Sequence, residues 1–231
     1  MRSPKSTQSI ELTPDFSKIF PAATVGILVL DNITYQNESS KLNALKGEII
    51  SSLHKQFPGL DSLKAHPVIQ AYSRYYKKFN KSYHVLGQLR SVIFEDRPLT
   101  SASPLVEAIF TAELKNMLLT AFHDLETISL PLKISISSGE ETYITLNGDE
   151  KRLKIRDMMV SDREGVISSV IYGPDKRTQV TRSTSSILIV VYAPDGISRE
   201  SINSHFDDIK KMIRSVSPGC KLTTRSIFPL S

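Results

Sequence analysis

The chain has 231 residues, of which 40% are hydrophobic and 23% are charged, and these values are ordinary for one large globular domain or a domain with an appended subdomain. Its single cysteine, Cys220, excludes an internal disulfide and a cysteine-based zinc site; we interpret it as a structural residue in a reducing compartment. The formal net charge of +5 permits binding to a polyanion without demonstrating it.

The N-terminal region shows no targeting or membrane-spanning segment. Its first 16 residues are polar and lack the apolar centre of a signal peptide. The apolar stretch at residues 22–30 is far shorter than the roughly 20 residues that a membrane-spanning helix needs. We therefore expect a soluble, cytoplasmic protein.

Helical patterns dominate the first half of the chain. Residues 24–35 are an exception, because their apolar content predicts a strand pair or one long bent strand that turns at Asp31 and Asn32. Elsewhere apolar residues recur every three or four positions, and two prolines suit the first position of a helix. The predicted helices are residues 41–57, a helix that begins at Pro67, residues 83–94, and a helix from Pro104 to Leu119.

The helix that begins at Pro67 carries Tyr72, Tyr75 and Tyr76 among basic residues. Aromatic rings between cations could stack on the bases of a nucleic acid. Alternatively, the helix is amphipathic and buries its tyrosines while the basic residues face water. The regular helical spacing of the tyrosines favours the second interpretation.

After Pro131 the apolar pattern changes to a period of two, which is typical of strands. Asn147-Gly148 is a strong hairpin signal, and residues 198–217 form the clearest helical pattern, with Ser198 as a plausible N-cap. Helices grouped early, strands grouped late and one following helix predict an α+β fold. The predicted strands are residues 132–138, 141–146, a returning strand within 149–159, 166–172, 187–192 and Lys221–Phe228.

Common catalytic and cofactor motifs are absent from the sequence. The chain has no P-loop, no dinucleotide-binding fingerprint and no nucleophile elbow. Its histidines show no pairing at metal-ligand spacing, so we predict no metal site and no cofactor. They are His54, His66, His84, His123 and His205.

His123 and Asp124 lie between the helical region and the first late strand. An imidazole beside a carboxylate can be oriented as a base. Adjacent residues rarely face each other, however, so the pair is more simply interpreted as two solvated loop residues.

A polar insert lies between the apolar runs at residues 166–172 and 187–192. Arginines can bind phosphate or carboxylate bidentately, threonines offer hydroxyl donors, and a carboxylate can accept a proton or an amine. The alternative is a hairpin loop with ordinary turn chemistry, since Gly-Pro-Asp is itself a turn sequence; spacing alone does not separate the two. The insert contains Gly173, Asp175, Lys176, Arg177, Thr178, Thr181, Arg182 and Thr184.

Three segments resemble the B3/B4 domain of the phenylalanyl-tRNA synthetase β subunit, especially its stand-alone relatives. SPLVEAIFTAEL at residues 103–114 is similar to the family's Asn-Pro-Leu-Val-Asp helix start, and HDLETI at 123–128 is similar to its aromatic-Asp-Leu-Asp-Lys run. EGVISSVIYGPDKRTQVTRSTSSILIVVYAP at 164–194 is similar to its strand, charged loop and buried strand. The order and spacing of the segments agree from about residue 66 to 209.

The resemblance implies a layered β/β/α core of mixed or antiparallel sheets and an RNA-associated function. In the synthetase this module hydrolyses tyrosine that is wrongly attached to the tRNA for phenylalanine. The family's recognition carboxylate falls on Asp175. Its editing histidine falls on Ala121 or Thr120, so the matching histidine is missing, and His123 is the candidate substitute.

Other family positions also differ, because Phe110, Glu113 and Met117 stand where the family often has Asn, Ser and Gly. The resemblance further predicts that residues 66–231 form the B3/B4-like domain and that residues 1–65 are a strand–helix extension packed on it. No aminoacylation core fits in the remaining chain, so aminoacylation is not expected.

The leading hypothesis is a protein that binds tRNA or an aminoacyl-tRNA-like ligand and acts in trans as an aminoacyl-tRNA deacylase. The competing hypothesis is a non-catalytic module for an amino-acid-like small molecule or a protein partner. Under the first, Asp175 holds the amine or hydroxyl of the amino acid, and the other residues divide into three roles. The catalytic pair is His123 and Thr120. The residues that position the ester or water are Gly173, Thr178, Thr181 and Thr184. The residues that contact RNA phosphate are Lys176, Arg177 and Arg182.

Overall fold

The computed structural model describes residues 9–34, 39–99 and 103–230. Contacts divide the chain into two compact units, and each is built from separated segments. The strand unit lies within Met1–Asn32, Ala121–Asp195 and Lys221–Ser231; the helical unit lies within Ile33–Thr120 and Gly196–Cys220. Across the described ranges, no helix combines the length and the apolar character needed to cross a bilayer.

The described ranges contain eleven strands and seven α-helices. The strands are β1 (Ile10–Leu12), β2 (Thr24–Asp31), β3 (Thr120–Asp124), β4 (Leu132–Ile136), β5 (Thr142–Ile144), β6 (Glu150–Arg152), β7 (Met158–Asp162), β8 (Gly165–Ser169), β9 (Gly173–Pro174), β10 (Ser186–Ala193) and β11 (Lys221–Phe228). The helices are α1 (Pro14–Ile19), α2 (Ser40–Gln56), α3 (Leu60–Lys64), α4 (Pro67–Lys77), α5 (His84–Phe94), α6 (Pro104–Asn116) and α7 (Arg199–Val216). The mixture confirms the predicted α+β class.

The strand unit contains a four-stranded sheet in the order β11-β2-β10-β3. β2 is its hydrophobic centre, because seven of its eight residues are buried and it pairs antiparallel with both β10 and β11. Val, Ile and Leu dominate β2 and β10, as expected for strands covered on both faces. The structure shows one strand where residues 24–35 predicted a pair or a bent strand; Tyr35 lies outside the described residues.

A second sheet of the strand unit has five strands in the order β1-β4-β7-β8-β9. Its pairs are antiparallel except for the parallel pair β1–β4. β5 and β6 form a separate antiparallel hairpin, which confirms the turn predicted at Asn147-Gly148.

The two apolar runs around the polar insert do not pair with each other, so the hairpin part of that alternative is wrong. β8 pairs with β7 and β9 in the five-stranded sheet, whereas β10 pairs with β2 in the four-stranded sheet. β8 also ends at Ser169, and the apolar residues 170–172 continue as a turn. The polar insert therefore connects two sheets, and its ends are not held together by one ladder of strand hydrogen bonds.

The helical unit is assembled from α2–α6 and the distant α7. The predicted N-cap of α7 is confirmed, since the Ser198 hydroxyl accepts a hydrogen bond from the Ser201 amide at 3.1 Å. α7 presents a strongly one-sided apolar face to this unit, and its buried residues include Ile202, Phe206 and Ile209. The predicted boundary at residue 65 lies between α3 and α4, inside this unit.

The tyrosines of α4 form part of the helical core. Tyr72, Tyr75 and Tyr76 are all buried, and Tyr72 stacks on Tyr83 with ring centroids 4.3 Å apart. The Tyr72 hydroxyl accepts a hydrogen bond from the Leu119 amide at 2.9 Å. Burial of these rings confirms the amphipathic interpretation and leaves no aromatic platform for bases on α4.

Candidate functional site

The polar insert at residues 173–184 is pinned to the strand unit by backbone hydrogen bonds. The Asp175 amide donates to the Ile167 carbonyl at 2.8 Å, and the Lys176 amide donates to the Ile144 carbonyl at 2.8 Å. The Thr178 carbonyl accepts from the Asp124 amide, also at 2.8 Å. The insert is therefore a held loop that spans from the β5–β6 hairpin to the end of β3.

Asp175, Thr178 and His123 form a buried chain of hydrogen bonds. The Asp175 Oδ1 atom accepts from the Thr178 amide at 3.2 Å and from the Thr178 hydroxyl. The same hydroxyl oxygen lies 2.7 Å from His123 Nδ1. A hydroxyl has one proton, and Thr178 uses it toward Asp175, so His123 Nδ1 is the donor in this contact.

This chain fixes the tautomer of His123 and leaves its other nitrogen available. The Nε2 atom is buried and has no hydrogen-bond partner among the described residues. Burial, together with the charge of Arg177, lowers the pKa of His123 to about 3 against the opposing effect of the Asp162 carboxylate. His123 is thus a neutral imidazole with an unused lone pair on Nε2.

Asp124 makes a separate set of contacts in the same unit. Its Oδ2 atom accepts from the Thr184 hydroxyl at 2.6 Å, and Thr184 Oγ1 accepts from the Thr181 amide at 3.0 Å. His123 and Asp124 are both buried, so the interpretation as solvated loop residues is wrong. They face different threonines and do not form a pair.

Arg177 anchors the loop through an ion pair in which only the acidic partner is buried. Its Nη2 atom donates to Asp162 Oδ1 at 2.9 Å, and Nη1 donates to the Thr127 carbonyl at 3.0 Å. Its Nε atom lies 3.7 Å from Asp175 Oδ2, and Glu164 is 3.6 Å from Nη1. The side chain of Asp162 is fully buried, which makes this pair a structural contact as well as an electrostatic one.

The remaining loop residues face solvent. Lys176, Thr181 and Arg182 are exposed, and the Thr181 hydroxyl lies 2.8 Å from that of Ser183. Gly173 has a φ of +75°, a conformation that side chains disfavour. Its carbonyl accepts a hydrogen bond from the Tyr143 hydroxyl at 2.7 Å. Gly173 therefore fixes the backbone at the first residue of the loop.

A cleft of about 200 Å³ lies beside Asp175 in the strand unit. Asp175 and Glu164 contribute carboxylates to it, and Arg177 contributes the only guanidinium among its lining residues. Burial raises the pKa of Asp175, although hydrogen bonds from Thr178 oppose the shift. The other lining residues are Thr142, Tyr143, Ile144, Gly165 and Val166; His123 does not belong to them.

Thr120 belongs to a different cluster, in the helical unit. Its amide donates to Glu113 Oε2 at 2.8 Å, and its hydroxyl donates to the Leu118 carbonyl at 2.9 Å. The same oxygen lies 2.8 Å from His205 Nε2. Thr120 therefore supports a buried polar network and shares no hydrogen bond with the loop residues 173–184 in the described structure.

Sequence reasoning missed Asp162, Glu164 and Tyr143 as residues of this site. Ser-Asp-Arg-Glu-Gly at residues 161–165 has the composition of an ordinary turn, and Asp162 does accept from the Glu164 and Gly165 amides. Nothing in the spacing of Asp162 and Arg177 indicates that they meet, because the contact depends on the register of β7 and β8.

The chain is thus an α+β protein whose candidate site is a small acidic cleft beside an inter-sheet loop. Within the described residues, no group of three or more histidine, cysteine, aspartate or glutamate side chains is placed to hold a metal ion. The sequence model of the B3/4 domain family matches residues 70–220. Since this match covers more than half of the chain, the protein belongs to the B3/4 domain family.

A solved structure shares the fold. It is an N-terminal fragment of the phenylalanyl-tRNA synthetase β subunit from Pyrococcus horikoshii, with a TM-score of 0.52 and 12% sequence identity. The alignment covers 99% of this chain and 56% of that fragment, so this chain spans little more than half the length of its structural relative. No curated protein matches the chain. The sequence model shows the family, and the similarity to the synthetase fragment shows the fold.

Proposed function

We propose that this protein binds an aminoacyl-tRNA and recognises the amino acid in the cleft beside Asp175. The observation that carries the proposal is a buried carboxylate with one oxygen open to a ligand. Oδ1 of Asp175 is occupied by Thr178, whereas the one charged partner of Oδ2 among the described residues is Arg177, at 3.7 Å. An ammonium group of an amino acid is the natural donor to this oxygen.

The charge of the cleft favours the amino acid over the phosphate backbone. Asp175 and Glu164 supply two carboxylates, and Arg177 supplies one cation that Asp162 already pairs. The cleft volume of about 200 Å³ is below the ~300–1,000 Å³ of pockets for drug-sized ligands. Such a volume suits one amino acid and excludes a whole nucleotide.

Binding to a panel of aminoacyl-tRNAs and to the same tRNAs without an amino acid tests the proposal. We expect tighter binding of at least one aminoacylated form, and Asp175→Asn should reduce this preference about 10- to 100-fold, because a hydrogen bond to a charged group contributes ~1.5–3 kcal/mol. Asp149→Asn, an exposed carboxylate of the same unit, is the matched control. Equal binding of aminoacylated and free tRNA by the unmodified protein would overturn the proposal.

Hydrolysis of the ester is a second candidate function, and the unpartnered Nε2 of His123 is the observation that favours it. A neutral imidazole held through Nδ1 is the form that accepts a proton from water. Nε2 is shielded from solvent, so this base could act only where the bound substrate opens the loop. The reaction would be general-base attack of water on the aminoacyl ester, with release of the amino acid and free tRNA.

Release of the amino acid from the preferred aminoacyl-tRNA separates the two functions. If His123 is the base, His123→Gln should slow release by about 10²–10⁴-fold, the usual contribution of a general base. Thr178→Val should also slow release by removing the contact that fixes the His123 tautomer, whereas Thr178→Ser should retain it. Release no faster than in buffer would leave a binding module without catalysis, and calorimetry with free amino acids would then identify its ligand.

A further inference from the structure

A second surface, on the helical unit, carries positive charge that no ion pair with a described residue neutralises. A groove of about 420 Å³ is formed by one face of α2 and one face of α7. Lys41 comes from α2, and Lys211 and Arg214 come from α7. Ala44, Leu45 and Ser215 complete its lining, so three cations surround a largely apolar floor.

The two helices are held together at this groove by their own contacts. Ser39 Oγ donates to the Ser215 carbonyl at 2.7 Å and accepts from the Leu42 amide at 3.1 Å. Lys211 and Arg214 are three positions apart, so they lie on the same face of α7. The groove is therefore built from rigid helices and not from mobile loops.

None of the three cations makes an ion pair with a carboxylate of the described residues. Other cations of the same unit are paired: Lys46 with Glu107, Lys115 with Asp208 and Lys210 with Asp207. Burial raises the pKa of the Cys220 thiol although the charge of Arg214 opposes this shift, so this neighbour of Arg214 is neutral. The positive charge is thus concentrated where no carboxylate of residues 9–34, 39–99 or 103–230 forms an ion pair with it.

Lys41 lies at an electrostatically unfavourable position. It is in the first turn of α2, which has no acidic residue, and a helix N-terminus repels cations. An anion bound in the groove would interact favourably with both Lys41 and the helix terminus. Arg214, in contrast, lies in the last turn of α7, where a cation stabilises the helix without any ligand.

We infer that the α2–α7 groove binds the phosphate backbone of RNA. Three cations at the rim match successive phosphates, and the exposed methyl and methylene groups of Ala44 and Leu45 can pack against ribose. The identification of this RNA as tRNA rests on the proposed function. The inference that the groove binds a polyanion does not rest on the proposed function. Arg177 of the acidic cleft is already paired with Asp162, so a polyanion needs cations elsewhere on the protein.

Binding of deacylated tRNA at several salt concentrations tests the inference. The variant Lys41→Gln/Lys211→Gln/Arg214→Gln should weaken binding at least tenfold and reduce the slope of log K against log salt by roughly 2 to 3, since each lost phosphate contact removes about 0.7–0.9. The control is Lys55→Gln/Lys64→Gln/Lys77→Gln, three exposed cations of the same unit with the same change in net charge. This control should alter the slope by less than about 1.

Equal losses of tRNA affinity in the two triple variants would overturn the inference that the groove binds RNA. The change in net charge would then explain both losses. If the groove variant loses binding to a polyglutamate peptide but retains tRNA binding, the inference of an RNA-binding groove is also overturned, in favour of an acidic protein partner. Thermal unfolding of each variant checks that the fold persists. Failure of the proposed function is distinguishable, because equal binding of aminoacylated and deacylated tRNA by the unmodified protein would overturn amino-acid recognition, whereas the groove variant would still weaken the binding of deacylated tRNA.

Discussion

At the scale of single residues, buried titratable groups in this protein respond to pH in opposite directions. Burial raises the pKa of Glu113 to about 8 and lowers the pKa values of His123 and His205 to about 3. Each group is therefore held in its neutral form near neutral pH. The network around Glu113, Thr120 and His205 is stable because its members hydrogen-bond as neutral groups.

The sign of each contribution to stability follows from these shifts. Glu113 contributes stability that is fully present below its unfolded pKa, near 4.5, and is lost as the pH rises toward about 8. The two histidines contribute stability that is present above their unfolded pKa, near 6.5, and is lost as the pH falls toward about 3. Between pH 6.5 and 8 the Glu113 contribution falls, whereas the two histidine contributions complete the last small part of their rise.

We therefore predict that Glu113→Gln removes most of the decrease in stability between pH 6.5 and 8. A glutamine keeps an oxygen that can accept from the Thr120 amide, but it has no proton to lose. The measurement is the melting temperature of both proteins across this pH range. Glu140→Gln, at an exposed position, should reproduce the unmodified profile, and an unchanged slope in Glu113→Gln would contradict the assignment.

At the scale of elements, the loop at residues 173–184 depends on contacts that are distant in sequence. Two arginines of the loop illustrate this: Arg177 pairs with the buried Asp162, whereas Arg182 is exposed and makes no ion pair within the described residues. Both were predicted to contact RNA phosphate, and those roles remain predictions. Their different surroundings provide a matched pair of variants in one loop.

Arg177→Ala should destabilise the protein by about 1.5–3 kcal/mol, the range for hydrogen bonds to charged groups. The loss stays below that of an orphaned buried charge, because Asp162 still accepts from the Ser129, Glu164 and Gly165 amides. Denaturant unfolding measures the change. Arg182→Ala should alter the free energy of unfolding by no more than about 0.5 kcal/mol; equal effects would show that the ion pair does not anchor the loop.

The helices and most strands were predictable because their signals are local. Apolar spacing, Pro67, Pro104 and the Ser198 cap are readable over a few residues, and the structure places α4, α6 and α7 where they indicate. α3, with five residues, is too short to produce such a pattern. The pairing of β8 and β10 with different sheets was not predictable, because a run of Val and Ile does not specify its partner.

At the scale of the whole molecule, each compact unit draws on separated parts of the chain. The strand unit needs β2 from the N-terminal segment and β11 from the C-terminal segment. β2 pairs with β10 along all eight of its residues and also with β11. The family match begins at residue 70, so the central strand of this sheet lies outside the matched region.

We predict that a protein of residues 66–231, the predicted B3/B4-like domain, does not fold cooperatively. Without β2, the buried strand β10 and the edge strand β11 lose their shared partner and expose apolar surface and unpaired backbone groups. Calorimetry of this fragment should show no cooperative transition, whereas residues 9–231 should unfold as the full chain does. A sharp transition in the shorter fragment would support the boundary at residue 65 as a domain boundary.

The sequence by itself determined the α+β class, most element positions and the resemblance to the family, because these depend on local periodicity and on residue order. It also identified Asp175, Thr178 and His123 as residues of interest without linking them. Only the tertiary structure decided that Thr178 joins Asp175 to His123 and that Thr120 belongs to another cluster. The physical reason is that contacts between residues 50 or more positions apart depend on strand register and packing. No local sequence pattern encodes either of these.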